Sequence, residues 1–112
     1  MQLITGVIQP HRLQVVKEAL KSVNVHGLTV TEATGYGTQG GHSEVYRGAE
    51  VRIDFVAKKR IEVLVADEHV ESVIEMIVTA ARTGSIGDGK IWTVPVHNVV
   101  RVRTGERGPD AI

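Results

Sequence analysis

Twice within 112 residues the chain passes through the same order of patterns: a short apolar run, an amphipathic stripe, then a second strand-like run. In the first pass "LITGVIQP", Leu3 to Pro10, is an apolar run ended by proline, which suits a buried strand leading into a turn. Leu13, Val16, Leu20 and Val23 follow at helical spacing, with Lys17 and Lys21 on another face, and the helix is expected to stop near Asn24 to Gly27. "LTVTEATGYG" then alternates, so that Leu28 and Val30 are expected to face a core while Thr29, Thr31 and Glu32 face away. The second pass begins with "RIEVLVA", Arg60 to Ala66, continues through the stripe Val70, Val73, Ile74, Ile77, Val78 and Ala81, and ends in "KIWTVPV". Two β-α-β units in tandem predict an α+β, ferredoxin-like βαββαβ sandwich: a four-stranded antiparallel sheet with both helices on one face.

Between the halves lies "GTQGGHSEVYRGAEVRIDFVAKK", which follows neither period cleanly. Structureless loops above roughly 12 to 15 residues are seldom mere connectors. The display of Tyr46, Arg47, Val51, Ile53 and Phe55 there points to partner binding rather than to an idle hairpin tip.

The stretch "TGSIGDGKIW", Thr83 to Trp92, admits two readings. Gly84, Gly87 and Gly89 allow successive N–H groups to converge on an anion, with Lys90 adding a full charge. The same residues would serve a tight turn into a strand, since Asp88-Gly89 is itself a hairpin signal. Nearer the C-terminus, Arg101 and Arg103 stand two apart in "VVRVRTGERG"; on a strand both guanidiniums would leave one face and grip a polyanion, or else decorate a solvated edge.

Charge narrows the partners. Thirteen basic and thirteen acidic residues cancel, so no global field recruits nucleic acid or an anionic membrane, and any anion site must be local. The four aromatic residues are too few and too dispersed for a base-stacking sheet. The chain has no cysteine, which excludes a disulfide framework and Cys nucleophiles and fits a cytoplasmic location. Met1 to Gln9 lacks the basic segment and cleavage site of a signal peptide, and no apolar run is long enough to span a bilayer. His11, His26, His42, His69 and His97 have no i, i+4 pair, so no metal cluster is expected from them. Ser43 beside His42 lacks the geometry of a nucleophile and its base. A single domain of this size often gains stability by associating with its own copies.

Four separated stretches, "VTEATGYG", "GGHSEVYRGAE", "ARTGSIGDGKIW" and "VVRVRTGERG", together resemble the PII signal-transduction proteins, and the resemblance runs over the whole chain. It implies a single domain over 1–112, a homotrimer, and a non-catalytic regulator of nitrogen metabolism that binds ATP or ADP in clefts between subunits. Residues 82–90 match the B-loop that cradles phosphates, about 37–55 the T-loop that docks onto targets, and 101–112 the C-terminal loop that closes the cleft from the adjacent chain. By position, Gly87, Asp88, Gly89 and Lys90 match the phosphate loop, Arg101 and Arg103 the phosphate contacts from the neighbour, and Gly27, Leu28, Thr29, Glu62 and Leu64 the adenine and ribose surroundings. Gly35 and Gly37 match the hinge, and Thr38 stands where arginine is usual, which removes a γ-phosphate contact. For 2-oxoglutarate, bound through Mg²⁺ on ATP, Gln39 matches the metal ligand and Lys58 the partner of the distal carboxylate, with Gly40, Gly41 and Gly87 alongside. Gln9 and Gly40 stand where the family commonly carries cations.

The T-loop departs further from the pattern. Val51 replaces the tyrosine that accepts a nucleotidyl group in many members, so no modification is expected there; Tyr46 is the nearby hydroxyl. Arg47 resembles the arginine that some members insert into an ammonium transporter, which makes such a transporter, or a nitrogen-metabolism enzyme, the expected target. The alternative is an adenine-nucleotide sensor of the same architecture with a changed second ligand such as bicarbonate. A third class, a small enzyme of this fold such as an acylphosphatase, requires a paired arginine and asparagine arrangement that is not recognisable in this sequence.

Overall fold

The structure, a computed structural model, describes residues 1–25, 27–36, 42–46, 49–53 and 55–112, the segments 42–46 and 49–53 by their backbone only. Its elements are β1 (Gln2–Ile8), α1 (Leu13–Ser22), β2 (Thr29–Gly35), β3 (His42–Tyr46), β4 (Ala49–Ile53), β5 (Val56–Val65), α2 (Val70–Ala81) and β6 (Gly89–Pro95). Four strands form one sheet in the order β2-β5-β1-β6, antiparallel throughout, which is the ferredoxin-like arrangement. The halves match in detail, because a 3-10 turn precedes each helix: Pro10–Arg12 before α1 and Asp67–His69 before α2.

Each boundary has a local cause. Proline at the first position of the turn before α1 fixes its own φ and leaves no orphan N–H, while Asp67, Glu68 and Glu71 place negative charge at the start of the second turn-helix unit. Helix α1 ends as Asn24 takes a φ of 62°; its N–H donates to the Lys21 carbonyl and that of Val25 to the Leu20 carbonyl. This pair of bonds satisfies the last carbonyls, with asparagine serving where glycine is commoner.

Both helices cover one face of the sheet. Ile4 and Ile8 of β1 and Ile61, Val63 and Val65 of β5 meet Val16 and Leu20 of α1 and Val73, Ile77, Ala80 and Ala81 of α2 in a continuous core. Burying each of the larger side chains contributes about 1.5–3 kcal/mol before the entropy of ordering is counted. Two expected core residues fall outside it. Val30 is 42 % exposed because β2 is an edge strand, pairing among the described residues only with β5, and Val23 is 41 % exposed because it follows the last turn of α1.

Other expectations are corrected by the backbone. The middle segment forms a hairpin although its sequence follows neither period cleanly: β3 and β4 pair antiparallel from His42↔Ile53 to Tyr46↔Ala49, and β5 begins at Val56, four residues before the apolar run that announced it. Arg101 and Arg103 do not lie on a strand. Gly105 and Gly108 hold positive φ values of 74° and 75°, so the chain doubles back, with only the isolated bridge Val100↔Arg107. Val102, at the centre of the apparent alternation, is 99 % exposed.

Among the described residues, no helix covers the opposite face. There Thr5 pairs with Glu62 on one side and Trp92 on the other, and the Arg60 guanidinium lies 5.8 Å from the Trp92 ring centroid. Trp92 and Val94 are 42 % and 44 % exposed.

Candidate functional site

The described residues among those singled out in the sequence fall mainly at two ends of the sheet. Near one end, Gly27, Leu28 and Thr29 enter β2 beside Glu62 and Leu64 of β5, with Thr29 directly opposite Glu62, and they line an open groove of about 1110 Å³. Pro109, Ala111 and Ile112 form part of its wall, and Ala111 is buried there. Arg101 secures this tail. Its guanidinium donates to the Glu106 carboxylate at 2.9 Å, to the Asp110 carbonyl at 3.0 Å and to the Ile112 carbonyl at 3.4 Å. The two arginines therefore do not project side by side, and Arg103 sits exposed on the turn beyond.

At the other end stands the loop that joins α2 to β6. Gly84, Gly87 and Gly89 adopt φ values of 89°, 101° and 104°, conformations that side chains with a Cβ seldom enter. Asp88 turns its carboxylate onto the loop itself: Oδ2 accepts from the N–H groups of Thr83 at 2.8 Å and Gly84 at 2.9 Å, and Oδ1 from the Thr83 hydroxyl and from Gln9 Nε2 at 2.9 Å. Those donors favour the ionised form. The Thr83 hydroxyl and N–H, then Gly84 and Gln9, outweigh desolvation and hold the carboxyl at about 2, below its ordinary 3.8.

A depressed folded-state pKa means that the clamp is complete above the unfolded value, and is lost as pH falls from about 4 toward about 2. The Asp88 carboxyl and the Thr83 and Gly84 amide resonances are accordingly expected to titrate together near pH 2; a common midpoint near 4 would show that the clamp is absent in solution.

Lys58 reaches the same loop from the start of β5. Only 7 % exposed, it donates from Nζ to the Gly87 carbonyl at 2.7 Å. A Cβ at Gly35 would stand 3.0 Å from Lys58 Cγ, so glycine there leaves room for the lysine stem. Arg82, Asp88, Gly89 and Lys90 rim a smaller depression of about 330 Å³, floored by Ile8, Ile74 and Val78. The sequence reading placed Thr83 in this loop and Lys58 and Gly87 at one ligand, but it gave no bond from Gln9 or Thr83 to Asp88 and none from Lys58 to Gly87.

The two ends are well separated. From Lys58 to Leu64 is six strand residues, about 20 Å at ~3.3 Å per residue. The groove at Gly27, Leu28, Thr29, Glu62 and Leu64 and the loop at Gly87, Asp88, Gly89 and Lys90 therefore do not converge on one small ligand within a single chain. Gly37, Thr38, Gln39, Gly40, Gly41 and Arg47 lie outside the described residues, as do the side chains of Tyr46 and Val51. Among the described residues, no helix is long and apolar enough to cross a membrane.

A family model described as nitrogen regulatory protein P-II matches residues 1–106. The chain is 55 % identical to the nitrogen regulatory protein P-II of Rhizobium meliloti and 56 % identical to that of Azospirillum brasilense, in each case over 112 residues and the full length of both chains. It is 47 % identical, again over both full lengths, to the nitrogen regulatory protein GlnK of Escherichia coli.

Proposed function

Because the chain belongs to the nitrogen regulatory protein P-II family, we propose that it is a non-catalytic, homotrimeric sensor that binds ATP or ADP between copies and reports the occupant to a target protein through residues 37–55. The observation that carries this reading is the separation of the two half-sites. One copy offers the groove of Gly27, Leu28, Thr29, Glu62 and Leu64, with Arg101 and Arg103 on the tail that walls it; another offers the loop of Gly87, Asp88, Gly89 and Lys90. Closing three chains with their helix-free faces inward would cover Trp92 and Val94 and bring each groove to a neighbour's loop.

Each group has work suited to its chemistry. Leu28 and Leu64 offer apolar contact to a base, and Thr29 and Glu62 offer hydrogen-bonding groups to a nucleoside. The left-handed glycines let backbone approach phosphate oxygens without side-chain interference, while Lys90 and Arg103 supply charge. The Arg101 guanidinium holds the tail by its contacts to Glu106, Asp110 and Ile112, so its service to phosphate goes through the tail's position or through exchange of those partners.

A second effector, 2-oxoglutarate, would join ATP through Mg²⁺ held by Gln39, with Lys58 toward the distal carboxylate. Lys58 supports this half of the site, as its ammonium is buried at the loop end of the sheet and must leave the Gly87 carbonyl or share itself with the acid. Neutral Gln9 and Gly40 supply no further cation, so affinity is expected to be about five- to thirtyfold below that of a site holding both. The same segment, through Tyr46 and Arg47, would meet a target such as an ammonium transporter or a nitrogen-metabolism enzyme, and Val51 offers no hydroxyl for nucleotidyl transfer.

Calorimetry decides the effector. With ATP and Mg²⁺ present, 2-oxoglutarate is expected to bind weakly, and without either to give no heat. Tight binding that persists in Gln39→Ala would contradict the site, and silence at millimolar acid alongside a response to bicarbonate would identify a changed second ligand.

A further inference from the structure

Gln9 closes the first apolar run, yet its amide is spent on a residue near the other end of the sequence. Pro10 confines Gln9 to extended backbone, observed at φ −69° and ψ 138°, and Ile8 before it is paired on both sides, with Lys59 of β5 and Gly89 of β6. The side chain thus departs from a rigid support at the end of a central strand. One step beyond Ile8↔Gly89 the register sets Gln9 against Asp88, and Nε2 donates to Oδ1 at 2.9 Å.

Asp88 is the hub of its loop. Its other acceptor positions take the Thr83 and Gly84 N–H groups and the Thr83 hydroxyl, so where its carboxylate is held determines how residues 83–88 are folded. Among the described residues it has four donors, three within the loop and the fourth Gln9, which directly follows β1. Without that bond the carboxylate loses its tie to the residue that follows β1, and its bonds to the Thr83 and Gly84 N–H groups open more often. A carboxylate gripped by a neutral amide also keeps its full negative charge beside a loop meant for phosphates.

Resting on the nucleotide-binding reading above, we infer that Gln9 is a positioning residue that sets the phosphate loop through Asp88, and that its neutral amide lowers the affinity gained with each added phosphate. It acts through Asp88 rather than by touching the nucleotide. Removing the donor should therefore weaken binding in proportion to the phosphates, whereas a cation in its place should favour them.

The test titrates adenosine, ADP and ATP into the parent, Gln9→Met and Gln9→Lys. Gln9→Met, of similar length but without a donor, is expected to weaken ATP about three- to tenfold while changing adenosine by less than about twofold. Gln9→Lys is expected to recover ATP binding to the parental level or beyond, with a larger gain for ATP than for ADP. Unchanged ATP affinity in Gln9→Met, or equal loss for adenosine and ATP, would overturn the inference. Parental chain that gives no heat with any nucleotide would instead overturn the nucleotide-binding reading. Hydrogen exchange on the ligand-free chain tests the positioning separately: the Thr83 and Gly84 amides should exchange faster in Gln9→Met, and unchanged protection would contradict the link.

Discussion

Lys90→Ala and Arg103→Ala are each expected to weaken ATP by roughly ten- to a hundredfold while leaving the chain folded. Lys90 follows Gly89 at the start of β6, opposite Val7 and therefore on the helix-free face, and Arg103 sits exposed on the C-terminal turn. Neither is in the core, so both are suitable for truncation. A charge-assisted contact to phosphate contributes on the order of 1.5–3 kcal/mol in a partly buried site, and each ~1.4 kcal/mol is a factor of ten. Arg101 is the poorer choice because its truncation also releases Glu106, Asp110 and Ile112. Titration calorimetry measures the effect, and parental affinity in both variants would reduce the glycine loop to a turn between α2 and β6.

Gly89→Ala is expected to strike the fold itself, lowering stability by on the order of 3–5 kcal/mol. Its φ of 104° is strained for any residue with a Cβ, and a Cβ there would stand 1.8 Å from the Val7 carbonyl oxygen, 2.9 Å from the Val7 carbonyl carbon and 3.3 Å from Ile8 Cα. Backbone of the central strand cannot rotate away as a flexible side chain would, so the first pairs of the β1–β6 ladder must part. Gly84→Ala provides the control. It shares a positive φ, 89°, but nothing lies within 4 Å, so only the conformational cost of about 1–2 kcal/mol applies. Denaturant unfolding should rank the two well apart, and equal losses would mean that β6 does not approach β1 as described.

The architecture was legible because each helix carries a wide apolar stripe that agrees with its length and its stop signals. Val73, Ile77 and Ala81 fall at four-residue intervals, all are buried, and the helix ends where the stripe ends. Strand signals were weaker where burial is one-sided or supplied by something other than apolar contact. Lys58 and Lys59 hid the first turn of β5: the former is buried by donating to the Gly87 carbonyl, and the latter pairs with Glu32 across from β2. An apolar pattern cannot announce the start of a strand whose buried residue is a lysine on the face away from the core.

The reverse error occurred at Val100 to Arg103, where alternation without a neighbouring edge produced a turn. As for the site, the glycines and Lys90 were legible from composition, since left-handed backbone and charge are local properties. What set the loop in place was not. Gln9 and Asp88 meet only because β1 and β6 are adjacent, a fact of topology that no window of sequence contains.

Native mass spectrometry of the parental chain with ATP gives assembly and occupancy together. The expected spectrum is a three-chain particle carrying up to one ATP per chain, with occupancy reduced in Lys90→Ala and in Arg103→Ala but the particle intact. A monomer that retains ATP, or a three-chain particle that takes up none, would contradict a nucleotide site built between copies.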